Sequence, residues 1–164
     1  MIQSITATAY TRYLRAETGA DVSSHAAFSS RRISAPPHNH IISVIGRLDE
    51  LCRLEAGWDG YVAPPVSFSN ANFALSVLAS ACPPNGPAPQ IVPGSDGDLQ
   101  LEWHSDIADI ELHIRGPNNV RAWRFIQGGA DDGEEIDLTT DFGVVAGWLA
   151  ELSEAAVAAR PAAA

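Results

Sequence analysis

Leu99-Gln100-Leu101-Glu102-Trp103-His104, followed by Ile110-Glu111-Leu112-His113-Ile114-Arg115, carries the clearest pattern in the chain. In each run apolar residues alternate with polar ones. That period of two matches a strand with one buried face and one wet face. Before these runs, Gln90–Pro93 is a short strand candidate, and Ser95-Asp96-Gly97-Asp98 supplies the tolerance of positive φ that a tight hairpin needs. Gly116-Pro117-Asn118-Asn119 turns the chain into a fourth strand over residues 120–127. Arg121, Trp123 and Phe125 share one face of that strand, with Arg124 on the other; such aromatic-plus-Arg strands occur in single-stranded RNA readers, but the surrounding charge is negative and the simpler reading has Trp123 and Phe125 covering the core. The expectation is an antiparallel β-meander of about four strands.

Helical periodicity brackets the meander. Ile41, Ile45, Leu48 and Leu51, with Leu54 or Cys52, recur at three- and four-residue intervals, so residues 41–55 form an amphipathic helix with Asp49, Glu50 and Arg53 outward and Gly57 as its stop. Ser67 or Ser69 caps a second helix running to about Cys82, buried through Phe73, Val77 or Leu78, and Ala81; Pro83-Pro84-Asn85-Gly86-Pro87 ends it. Gly128 to Glu135 is acidic and glycine-rich and reads as a loop. Thr139 or Thr140 then caps a last helix, which buries Phe142, Val145, Leu149 and Leu152. The fold class is therefore α+β, with two N-terminal helices, the meander, and a C-terminal helix packed on the sheet.

The 164 residues suit one domain. Residues 1–40 read as a flexible, mildly basic arm, 41–154 as a single α+β domain, and 155–164 as a disordered tail. Within the arm, Ile5, Tyr10, Tyr13 and Leu14 offer only a thin helical pattern, and 19–40 is rich in Ser, Ala, Pro and His. No run approaches the roughly 18 consecutive apolar residues of a membrane span, and the start lacks the apolar core of an export signal. The chain reads as cytoplasmic, with no membrane partner. Cys52 and Cys82 have no metal-ligand spacing and read as buried thiols. All ten cationic side chains are Arg, a composition associated with GC-rich bacterial or phage genomes.

Charge is unevenly spread. Residues 1–47 hold five Arg against two acids, a net of +3, whereas residues 48–164 hold five Arg against eighteen acids, a net of −13. An acidic body repels phosphate, which makes nucleic acid an unfavourable partner and a basic protein a favourable one.

Gly57-Trp58-Asp59-Gly60-Tyr61-Val62-Ala63-Pro64-Pro65 joins the two helices. Two glycines permit a sharp reversal and Asp59 can cap neighbouring amides, which is a structural role. The functional reading makes Trp58, Asp59 and Tyr61 a partner-binding loop, since aromatics beside a carboxylate suit recognition. With Pro93, Asp96-Gly97 and the Leu101-Glu102-Trp103 strand, this junction resembles a set of small uncharacterised bacterial proteins that share a Gly-Trp-Asp-x-Tyr-Gly turn, a helix and a strand ending in Leu-Glu-Trp. The resemblance spans roughly residues 45–115. Val62 stands where that pattern has Gly, and the resemblance implies architecture without chemistry.

The polar face of the hairpin gathers Glu102, His104, Glu111 and His113. If paired residue numbers sum to 215, Glu102 opposes His113 and His104 opposes Glu111, a patch suited to a transition metal or to acid/base chemistry. A sum of 213 keeps the same burial but sets Glu102 against Glu111. His38-Asn39-His40 has chelating spacing without a third ligand. Asp131, Asp132, Glu134 and Glu135 have the composition, but not the pattern, of a calcium loop. No nucleophile elbow or phosphate-binding glycine loop occurs, and no cofactor is implied.

The leading expectation is thus a non-enzymatic, acidic protein-interaction module of bacterial or phage origin that binds a basic protein, as an inhibitor, antitoxin-like or anti-defence protein would. The alternatives are a metal-dependent or acid/base hydrolase using the Glu/His face, and a self-associating structural subunit built through open sheet edges.

Overall fold

The computed structural model describes residues 39–129 and 133–158. Among them the chain forms α1 (Asn39–Cys52), α2 (Phe68–Ala81), β1 (Gln90–Pro93), β2 (Leu99–His104), β3 (Ala108–Gly116), β4 (Asn119–Ile126), β5 (Glu134–Leu138) and α3 (Gly143–Ala158). The strands lie in chain order in one sheet, and every neighbouring pair is antiparallel. The class is α+β with a meander, of five strands rather than four. The fifth takes in Glu134 and Glu135, the end of the stretch that reads as loop, and runs on through Leu138: Ile136 and Leu138 pair with Ala122 and Val120 while Glu135 and Asp137 face away. An edge strand tolerates such acids because one side of its backbone and one of its faces meet water. The thin helical pattern of Ile5, Tyr10, Tyr13 and Leu14, most of the arm, His38, Asp131, Asp132 and residues 159–164 lie outside the described residues.

The helices follow their stripes with shifted ends. α1 buries Ile41, Val44, Leu48 and Leu51, with Ile45, Cys52 and Leu54 half-buried beside them. It opens at Asn39, inside the segment read as arm, and ends at Cys52, so Glu55 and Gly57 belong to the connection rather than to its last turn. Ser67 caps α2, its hydroxyl accepting from the Asn70 amide at 3.2 Å. Thr139 and Thr140 do not cap α3. Instead Asp141 accepts from the Gly143 amide at 2.8 Å and the Phe142 carbonyl takes the first helical bond, from Ala146. α3 continues through Ala158, past the expected start of the tail.

One apolar cluster joins these elements. The inner sheet face carries Leu99, Leu101, Trp103, Ile110, Leu112, Ile114, Val120 and Ala122, all buried against helix residues that include Leu48, Leu75, Leu78, Val145 and Leu149. Phe73 of α2 meets Phe142 edge-on, with ring centroids 6.1 Å apart. The assignment of β4 is reversed. Val120 and Ala122 face the core because they pair with Ile114 and Leu112, which leaves Trp123 and Phe125 on the outer face. Arg124 takes the inward position opposite Ile110, where its guanidinium lies over the Trp148 ring and pairs with Glu151 of α3. Its aliphatic stem makes that placement tolerable, since a long Arg can cover apolar surface while its head reaches a partner at the rim.

The β1–β2 turn is fastened to the start of α2. The Gly97 carbonyl accepts from the Ser67 amide and from Asn70 Nδ2, both at 2.9 Å. Gly97 has φ +75° and lies close to the Pro65 carbonyl, a position that favours glycine on both counts. Both cysteines are free and half-buried rather than fully buried. Burial pushes the Cys82 thiol up to about 12; burial and the nearby Asp49 raise that of Cys52 despite Arg53.

Candidate functional site

Residues 57–65 form a self-contained turn. Gly57 and Gly60 have φ of +83° and +84°, and the Gly57 amide bonds the Ala63 carbonyl at 2.8 Å. Asp59 Oδ1 accepts from the amides of Tyr61 (2.9 Å) and Ala63 (3.2 Å), and Trp58 Nε1 donates to the Pro64 carbonyl at 3.0 Å. The polar groups of Trp58 and Asp59 are therefore engaged within the turn. Tyr61 and Val62, 85% and 89% exposed, project from its tip.

The hairpin takes the 213 register. Its turn dictates this: the Ser105 hydroxyl donates to the Ala108 carbonyl (2.8 Å) and accepts from the Ile107 and Ala108 amides, while the Ser105 amide bonds the same carbonyl at 3.1 Å. Closing the turn between Ser105 and Ala108 sets His104 opposite Asp109 and Glu102 opposite Glu111. The pairings Glu102 with His113 and His104 with Glu111 do not form.

The two histidines consequently enter separate networks. His104 Nδ1 lies 3.0 Å from Asp109 Oδ1, and its Nε2 lies 3.3 Å from Glu102 Oε2. Hydrogen bonds to these two carboxylates, Asp109 first, raise the His104 pKa and favour the imidazolium. Asp109 also accepts from Gln127 Nε2 at 3.0 Å. At the other end of the strands, His113 Nε2 bonds Asp98 Oδ2, and Arg115 Nε donates to His113 Nδ1 at 3.4 Å. Burial alone would raise the Asp98 pKa. The bond from His113, the amides of Asp96 and Asp98 and the charge of His113 together outweigh burial and hold it below the usual carboxylate range. No group of three or more His, Cys, Asp or Glu among the described residues is arranged to hold a metal ion.

What the register does assemble is a row across all five strands of the outer face: Gln90, Glu102, Glu111, Trp123 and Glu135, each opposite the next. A second row, His104, Asp109 and Phe125, runs beside it. Trp123 and Phe125 stack with centroids 6.1 Å apart and planes 8° from parallel. Arg121, the cation of β4 on this face, is held by Glu135 at 2.8 Å and Asp137 at 3.3 Å. The Glu102 carboxylate has only His104, and the Glu111 side chain has no hydrogen bond or ion pair among the described residues. Like charges directly opposed across an antiparallel pair are destabilising. The face thus holds carboxylates in excess, next to a stacked aromatic pair.

Sequence reasoning found Glu102, Glu111 and His104 but missed Trp123, Phe125 and Asp109 as their neighbours. The alternation of Val120 and Ala122 with Arg121 and Trp123 was the available signal; aromatic bulk pointed the other way. The chain matches no protein-family model, and no curated protein and no solved structure is significantly similar to it.

Proposed function

We propose that this chain is a non-enzymatic protein-interaction module whose outer sheet face binds a basic segment of a protein partner. The observation that carries the reading is Glu111: it opposes Glu102 directly, lacks a counter-ion among the described residues, and lies beside the Trp123–Phe125 stack. A Lys or Arg placed there relieves the carboxylate repulsion and meets the negative face of an aromatic ring, a contact worth about 0.5–2 kcal/mol depending on desolvation. The net −13 of residues 48–164 supplies long-range attraction. An inhibitor, antitoxin-like or anti-defence role suits such a face, because it competes with nucleic acid for a basic cleft.

Titration of the full chain with an Arg-rich peptide, followed by NMR, tests this. The expected result is a shift of the Trp123 indole resonance and an affinity that falls with added salt. An unperturbed Trp123 resonance, or an association indifferent to salt, contradicts the proposal.

A further inference from the structure

At the end of β2 an open cleft of about 680 Å³ lies between the Pro87–Ala88 segment, the β2–β3 turn and the last turns of α3. Pro87, Trp103, Ile107 and Leu152 give it an apolar lining, while Glu102 and His104 also line it. The Trp103 indole is pinned, because its Nε1 donates to the Pro87 carbonyl at 2.9 Å, so its ring offers carbon rather than an unsatisfied polar atom. Ile107 remains 43% exposed on the turn that the Ser105 hydroxyl holds in place. The volume falls within the roughly 300–1,000 Å³ of sites that enclose small ligands, ample for one aromatic side chain.

The location matters more than the size. Glu102 and His104 lie two residues apart on β2, about 7 Å along the strand, and both belong at once to the cleft and to the carboxylate rows of the outer face. A cation seated at Glu102 and Glu111 therefore stands beside the cleft, and the side chain two residues on in an extended segment, on the same face and about 7 Å away, reaches into it. We infer that the cleft takes a bulky apolar side chain of the same basic segment, so that the recognised sequence is a Phe, Trp or Leu about two residues from an Arg or Lys. This inference rests on the proposed function and adds the determinant of specificity. Charge alone accepts any basic chain; a filled apolar cleft selects among them.

Calorimetric titration of the full chain with two Arg-rich peptides of equal charge, one with Phe two residues from an Arg and one with Ser in its place, tests the inference. The Phe peptide is expected to bind roughly tenfold or more tightly, the increment for burying one such side chain. Ala155→Trp on α3 and, independently, Ala88→Trp on the exposed segment across the cleft fill the space from two sides. Each is expected to remove the preference for Phe while leaving the affinity for the Ser peptide unchanged. Equal affinity of the two peptides for the unmodified chain, or a preference that survives both substitutions, overturns the inference while leaving the proposed function standing. Failure of both peptides to bind overturns the two together. Light scattering that shows self-association abolished by Ala88→Trp assigns the cleft to a second copy and likewise overturns it.

Discussion

Asp59 holds two amides of a turn whose glycines already favour the reversal, and its role is accordingly mechanical. Replacing it with Ala is expected to lower stability by about 1–3 kcal/mol, the range for losing hydrogen bonds to a charged acceptor, read as a fall in Tm. Tyr61→Ala, at the exposed tip of the same turn, is expected to stay within about 0.5 kcal/mol of the unmodified chain. Asp98 and His104 carry opposite pH signatures. The folded-state pKa of Asp98 is lowered, so the stability it contributes is present above the ordinary carboxylate pKa and is lost as pH falls through the lowered value. The folded-state pKa of His104 is raised, so its contribution is present below the ordinary imidazole pKa and is lost as pH rises through the raised value. Asp98→Asn is expected to flatten the acid limb of a Tm-versus-pH profile, and His104→Gln the limb above the ordinary imidazole pKa. Losing the His104 proton also leaves Glu102 and Asp109 uncompensated, so a basic peptide is expected to bind more tightly above that transition than below it.

At the scale of elements, the turns chose among arrangements that periodicity left equal. Both the 215 and 213 registers bury Leu99, Leu101 and Trp103, so apolar alternation cannot separate them; the Ser105 hydroxyl, bonded across the turn, does. The strands of the central hairpin, the cap at Ser67 and the stripe of α1 were legible because each rests on local pattern. The outward placement of Trp123 and Phe125 had only the alternation of Val120 and Ala122 to show it, against the pull of aromatic bulk, and Arg124 could face inward only because Trp148 and Glu151 of a distant helix receive it. β5 hid behind its acids. Gly133, which leads into it, has φ +108°, and a β-carbon there would lie 2.7 Å from Trp123 Nε1. Gly133→Ala is therefore expected to destabilise the chain by about 1–3 kcal/mol through backbone strain and to change Trp123 fluorescence, which links the β5 edge to the proposed binding face.

For the whole molecule, acidity guards as well as attracts. β5 exposes Glu134, Glu135 and Asp137, and at the opposite edge Arg47 Nε bonds the Ile91 carbonyl of β1, which also carries Pro93. Charges, proline and a covered carbonyl all discourage strand addition, so light scattering at moderate concentration is expected to report a monomer. No described helix is long and apolar enough to cross a membrane. The inner sheet face is filled by the helices, so the outer face with its opposed carboxylates is where stability yields to recognition. Glu111→Gln, measured for both Tm and affinity for an Arg-rich peptide, tests that trade most directly. Removing one of two opposed charges is expected to leave Tm unchanged or raise it, by up to about 1 kcal/mol of stability, while weakening the peptide complex severalfold. A lower Tm with undiminished binding would show instead that Glu111 is a structural residue and that the face is not the site.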